Sequence, residues 1–273
     1  MRNHFIWLIL RLRYCIKGVT TLFSSLSERE ERLLNRLAEE PAIPVSELAE
    51  ELQVSQVTVR TTLNGLAEKG FLLRTHGGAL PAFHPDILER QQSSRPVKEA
   101  IARFAASRVT DGESIMIEAG TTTALVARFL MGRRDIKVVT NNLLVLPYAR
   151  TNPGVSLAVV GGEFRPATES VVGPIASLSL ERFHVGTAFL GTDGFSLENG
   201  FTTHLVEGAE IVRTMARRAE RTVILADSSK YGRTGFAHVL SLGEVSELIS
   251  DGGLPESARR ELREAGIEVT VVE

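Results

Sequence analysis

The residues best placed to do chemistry are five short polar clusters, each following an apolar run. Glu118-Ala119-Gly120-Thr121-Thr122-Thr123 comes directly after Ser114–Ile117 and opens an amphipathic stretch. A glycine there lets the backbone approach a ligand, and successive amides at a helix start, with threonine hydroxyls beside them, make an anion site. Val139-Thr140-Asn141-Asn142 and Val160-Gly161-Gly162 end two more apolar runs; Leu190-Gly191-Thr192-Asp193-Gly194 and Ala226-Asp227-Ser228-Ser229-Lys230 end another two. Each cluster alone can also be read as a capped turn, and Lys230 alone reads as readily as a solvated surface lysine. Polar, glycine-rich strand ends gathered on one edge of an α/β sheet read better as a pocket. Its candidate residues are Gly120, Thr121, Thr122 and Thr123 for a phosphate, with Glu118, Asn141, Gly161, Gly162, Asp193 and Lys230 around it.

A second constellation lies in residues 45–80. Residues 46–52 form one short amphipathic helix, and Ser55 stands where an N-cap should, its hydroxyl able to satisfy a free amide of the next helix. Val59, Leu63 and Leu66 then recur at i, i+4 and i+7 and define a buried face. Gln56, Thr58, Arg60, Thr61 and Asn64 are left outside, side chains that bond base edges or phosphates when a helix enters the major groove. Gly70 ends the helix, and residues 71–78 look like a wing carrying Arg74 and His76. An upstream helix over Glu28–Glu39 supplies Leu33, Leu34 and Leu37 as the third side of a small core. The candidate DNA-contacting set is Ser55, Gln56, Thr58, Arg60, Thr61, Asn64, Arg74 and His76.

The elements that must hold these groups fall into two domains. Residues 27–81 are the winged helix-turn-helix head, 82–96 a polar linker containing Pro85, and 97–273 an α/β domain. In the last, helices over 97–109, 121–131, 206–218 and 255–265 alternate with strands over 114–117, 137–140, 155–160, 187–190, 222–226 and 268–272. That alternation implies an α/β fold with a mostly parallel sheet.

At these motifs the chain resembles the DeoR family of bacterial transcriptional regulators. Val54-Ser55, Thr58-Val59-Arg60 and Leu63 match the family's recognition helix, and Leu72, Arg74 and His76–Ala79 its wing. The five strand-end clusters match the family's sensor-domain motifs in order, so the resemblance runs over roughly residues 28–252. Thr61-Thr62 stand where the family has Arg-Asp, which implies an altered operator preference or affinity; Glu118 replaces an aspartate, so its carboxylate reaches further. The resemblance implies a repressor of a sugar or polyol catabolic operon, binding double-stranded operator DNA and released by a phosphorylated sugar or polyol.

The rival function is a sugar-phosphate isomerase carrying a DNA-binding head, because the sensor domain is distantly similar to ribose-5-phosphate isomerase. Leu190 stands where that enzyme has the first aspartate of its catalytic motif, only Asp193 matches the second, and residues 198–208 contain no lysine. Proton transfer between sugar carbons needs a positioned base and an electrophilic partner. The binding loop is kept while that set is incomplete, which suits a sensor and not an enzyme. The six histidines show no i, i+4 pair, and Ser228-Ser229 lack a hydrolase elbow, so no catalytic residue, metal site or cofactor is expected.

Composition sets the remaining bounds. A net charge of −2, with 43% hydrophobic and 23% charged residues, describes an ordinary globular chain and excludes one that is basic throughout. Between residues 52 and 80 Arg60, Lys69 and Arg74 stand against Glu68 alone, a modest excess that implies salt-sensitive binding by a homo-oligomer. Cys15 is the sole cysteine, which excludes an intramolecular disulfide and suits the cytoplasm. Residues 1–26 form an atypical extension whose apolar run, 5–10, is too short to span a bilayer, so no membrane partner is expected. The start of the native chain is expected further along, at Val19 or Leu22, with residues 1–20 mis-annotated or disordered.

Overall fold

The structure, a computed structural model, describes residues 26–40, 43–68, 71–75 and 78–273. The expectations for the extension, Cys15, the chain start, Lys69, Gly70 and His76 lie outside the described residues. The chain divides into two compact units, residues 1–92 and 93–273.

The first unit begins with α1 (Glu28–Glu39), whose start is fixed by a capping box between Ser27 and Glu30. Next come α2 (Val45–Glu51) and α3 (Gln56–Glu68), then the antiparallel wing β1 (Leu72–Thr75) and β2 (Gly78–Pro81), paired from Leu72↔Pro81 to Thr75↔Gly78. Leu33, Leu34 and Leu37 of α1, Leu48 of α2, and Val59, Leu63 and Leu66 of α3 close one core with Phe71, Leu72 and Ala79 of the wing. Arg36 ties α1 to α2, its Nε donating to Glu51 at 2.8 Å and its Nη2 to Glu40 at 3.0 Å. Some of the abundant head glutamates thus neutralise a cation away from α3.

Residues 82–96 are not the plain linker expected. They contain α4 (Pro85–Gln92), and Leu88 of that helix is buried in the head core. Pro85 opens that helix, since proline is tolerated in the first turn, where its missing N–H costs nothing. Ile87 and Leu88 are the apolar pair hidden among polar neighbours.

The second unit opens with α5 (Arg95–Ser107) and is built on a seven-stranded sheet. In chain order the strands are β3 (Ser114–Ile117), β4 (Ile136–Thr140), β5 (Val155–Val159), β8 (Val185–Leu190), β11 (Ala219–Leu225), β13 (Glu247–Asp251) and β14 (Glu268–Val272). They lie in the order β14-β13-β11-β8-β3-β4-β5, every pair parallel. The order reverses between β3 and β8. β3 passes through α6 (Thr121–Phe129) to β4 on one side, and β8 passes through small strands and α9 (Val206–Arg217) to β11 on the other. By the handedness rule for parallel crossovers α6 and α9 lie on opposite faces, and this reversal of strand order marks the carboxyl-end position between β3 and β8 where open α/β sheets bind ligands. Met116, Ala188, Leu190, Ile224 and Leu248 fill the sheet interior, with Ile211, Val212 and Met215 of α9 packed on it.

Two smaller antiparallel pieces decorate this edge. One pairs β6 (Glu163–Arg165) with β7 (Ser170–Val172); the other orders β9 (Gly194–Ser196), β10 (Gly200–Thr203) and β12 (Ala237–Leu240) as β12-β10-β9. Short helices α7 (Leu146–Ala149) and α8 (Pro174–Leu180), and α10 (Glu256–Glu264) before β14, complete the unit. Strand β13 was hidden from sequence by polar residues that are nonetheless buried. Glu247 is enclosed because Arg108 at 3.2 Å and Arg221 at 3.2 Å hold its two carboxylate oxygens, with Thr270 donating at 2.8 Å.

Candidate functional site

In the head, the Ser55 hydroxyl accepts from the Thr58 amide at 3.1 Å, the N-cap expected of it. Gln56, Arg60, Thr61 and Asn64 are exposed on α3, while Val59, Leu63 and Leu66 face the core; Thr58 is half-buried. Arg74 is exposed on β1 opposite Ala79. The Thr61 hydroxyl donates to the Val57 carbonyl at 2.9 Å and the Thr62 hydroxyl to the Thr58 carbonyl at 3.0 Å. Sequence reasoning passed over Val57, which is 69% exposed on this helix; being off the apolar stripe was its only signal.

In the second unit, parallel pairing delivers the five polar clusters to one sheet edge. Residues 118–123 follow β3, Asn141 follows β4, Gly161 and Gly162 follow β5, Asp193 follows β8, and Lys230 follows β11. Hydrogen bonds knit the ends of β3, β4 and β8 together. The Glu118 carboxylate crosses to β8 and accepts from the Gly191 amide at 3.0 Å. Asn142, fully buried, donates through Nδ2 to the carbonyls of Glu118 and Gly120, each at 3.0 Å, while its Oδ1 accepts from the Leu144 amide at 3.0 Å. The Thr123 hydroxyl donates to the same two carbonyls, at 2.6 and 3.0 Å. Gly120 is pinned from both sides, and a Cβ there would meet the Thr123 hydroxyl at 3.0 Å.

The loop so held presents the start of α6. First-turn amides of a helix have no intrahelical acceptor and carry the positive end of its dipole. Thr122 is 9% exposed, and its hydroxyl makes no hydrogen bond among the described residues. Thr123 differs from the expectation for a phosphate-contacting hydroxyl: it is fully buried and faces backbone carbonyls. Asn142, not named among the candidate residues, turns out to be the common brace.

Other candidates take varied places. Asn141 is buried, with Nδ2 donating to the Val171 carbonyl at 3.1 Å and Oδ1 lacking a partner. Asp193 accepts from the Thr203 hydroxyl and the His204 amide, each at 2.9 Å. Gly161 is open to solvent, whereas a Cβ on Gly162 (φ +147°) would strike the Val172 carbonyl at 2.6 Å. Lys230 is half-buried at the end of a short 3-10 helix and makes no ion pair among the described residues. Beside it, Asp251 accepts from the Ser228 amide at 2.6 Å, the Ser228 hydroxyl at 2.9 Å and the Gly253 amide at 3.0 Å. Burial opposes ionisation of Asp251, but those donors carry its carboxyl below the usual range.

Among the described residues no group of three or more His, Cys, Asp or Glu side chains could hold a metal ion. No described helix is long and apolar enough to cross a membrane. An open cleft beside β10 and β12 is lined by Thr202, Thr234, Phe236, His238 and Ser241.

A winged helix-turn-helix joined to an α/β unit with polar strand ends gathered on one sheet edge defines the class: a DNA-binding regulator with a sensor domain. Residues 29–82 match the DeoR-like helix-turn-helix domain and residues 93–252 the DeoR C terminal sensor domain. The chain belongs to the DeoR family of transcriptional regulators, which are not enzymes. It is 32% identical to the HTH-type transcriptional regulator GlpR of Haloferax volcanii, over 89% of this chain and 96% of that one. It is 28% identical to the transcriptional repressor AccR of Agrobacterium fabrum, over 88% and 97%. Ribose 5-phosphate isomerase A of Methanocaldococcus jannaschii superposes with a TM-score of 0.38 and 20% identity, over 51% of this chain and 55% of that one.

Proposed function

We propose that this regulator represses a sugar or polyol catabolic operon in the cytoplasm as a homo-oligomer, and that a phosphorylated sugar or polyol releases it from double-stranded operator DNA. The observation that carries the effector class is the braced start of α6. There the amides of residues 121–123 and the unbonded Thr122 hydroxyl sit on a loop fixed by Asn142, Thr123 and Glu118. An anion placed there meets a pre-formed, positively polarised cradle. Thr121 adds a second hydroxyl, and Thr123 contributes its amide while its hydroxyl serves as a brace. Asn141, Gly161, Gly162, Asp193 and Lys230 on the same edge supply the surroundings for hydroxyls and charge. Glu118 joins the ends of β3 and β8 by accepting from the Gly191 amide.

On the DNA side, α3 enters the major groove with Ser55, Gln56, Thr58, Arg60, Thr61 and Asn64, and Arg74 and His76 of the wing lie near the backbone or minor groove. Any effector that weakens operator binding is itself weakened by operator to the same factor. A thermal-shift screen of the whole chain against phosphorylated sugars and polyols, with free sugars and inorganic phosphate as controls, tests the pocket. A true effector at 100 times its dissociation constant adds roughly 2.7 kcal/mol of stability. Thr122→Val removes one hydrogen bond to a charged group and lowers affinity roughly ten-fold. A chain that no phosphorylated compound stabilises would overturn the phosphate assignment.

A further inference from the structure

The reading face of α3 is less polar than a list of its residues suggests. Val57 is its large exposed apolar side chain, 69% accessible. Positions 57, 61 and 64 are i, i+4 and i+7 and share one face, so Thr61 stands one turn beyond Val57. The Thr61 proton is committed to the Val57 carbonyl at 2.9 Å, and the Thr62 proton to the Thr58 carbonyl at 3.0 Å. Ser55 and Thr58 are bonded to each other through their hydroxyls at 2.9 Å. Thr61 therefore has no donor left for a base edge, and the part of its side chain without a backbone role is its methyl. With Val57 it makes a short apolar strip, flanked by the exposed polar groups of Gln56, Arg60 and Asn64.

Only one apolar group lines the base edges of the major groove, the C5-methyl of thymine. We infer that Val57, with the Thr61 methyl, reads a thymine methyl in each half-site, and that Arg60 and Asn64 take the hydrogen-bonded bases beside it. This rests on α3 being the groove-reading helix; the inference adds which base the strip selects and through which atom.

The test uses the full chain and leaves the protein unchanged in its first step. A preferred duplex is selected from a random library, and each thymine in it is replaced singly by deoxyuridine, which keeps the hydrogen-bonding edge and removes only the methyl. Dissociation constants are read by fluorescence anisotropy at fixed salt. One replacement per half-site is expected to weaken binding about four-fold, the worth of one buried methyl-sized group. Val57→Ala, a change at an exposed position, is expected to weaken binding to the thymine duplex similarly and to abolish the deoxyuridine effect. A selected duplex in which no thymine is sensitive overturns the inference and leaves the groove-reading role of α3 standing. So does a sensitive thymine whose effect persists in Val57→Ala. A chain that selects no duplex at all overturns both.

Discussion

Asn142→Ala is the perturbation that most sharply tests the architecture of the sensor site. Asn142 is fully buried between β4 and the 118–123 loop and makes three side-chain hydrogen bonds at 3.0 Å, to Glu118, Gly120 and Leu144. The two carbonyls keep the Thr123 hydroxyl, so they are not left bare. At about 1 kcal/mol net for each lost bond, the substitution is expected to cost about 3 kcal/mol. For a domain of this size that lowers the midpoint of its thermal transition by roughly 6–12 °C. Calorimetry resolves it, with urea denaturation at constant m-value as the check that the unfolded state is unchanged. The same variant should lose effector affinity by more than Thr122→Val does, because every cradle amide is repositioned at once. A midpoint within about 2 °C of the parent would refute the bracing role, since it would mean less than about 1 kcal/mol in all three bonds together.

Asp251→Asn probes the hydrogen-bonded turn that carries Lys230. The folded carboxyl lies below its usual range, so its ionised form stabilises the fold above the unfolded value, near pH 4, and that contribution is lost as pH falls through the folded value. The variant should therefore be less stable than the parent at neutral pH and converge on it under acid, as followed by urea midpoints; a gap independent of pH would contradict this. Arg60→Ala should weaken operator binding and relax the base preference at one position of each half-site without altering effector affinity, measured by anisotropy and thermal shift on one preparation. Loss of effector binding instead would contradict the separation of the two functions.

What was legible in the sequence followed from strong local chemistry. The Ser55 cap and the Val59, Leu63, Leu66 stripe marked α3 because one hydroxyl and one helical period set its start and its buried side. The strand ends were legible because parallel pairing brings every carboxyl terminus to one edge, so order alone groups Glu118, Asn141, Asp193 and Lys230. What stayed hidden needed long-range partners. Glu247 reads as a surface residue without Arg108 and Arg221 beside it, so β13 carries no strand signature in the sequence. Thr123 and Asn142 carry the same groups as ligand-binding residues, and only the positions of the Glu118 and Gly120 carbonyls reveal that they face inward. In α4 the tertiary burial of Leu88 outweighs a polar, proline-containing segment. Val57 is off the apolar stripe of α3, and an exposed apolar residue acquires meaning only from the hydroxyl bonds around it.

In the proposed function one chain couples operator DNA to a phosphorylated metabolite. The most direct measurement is anisotropy of a selected, labelled duplex bound by the full chain, titrated with each phosphorylated sugar or polyol and with its unphosphorylated counterpart. One phosphorylated compound is expected to raise the dissociation constant for DNA while its free counterpart does not, and Thr122→Val is expected to move this response to higher concentration. DNA affinity indifferent to every phosphorylated compound, or a response shared equally by the free sugar, would contradict it.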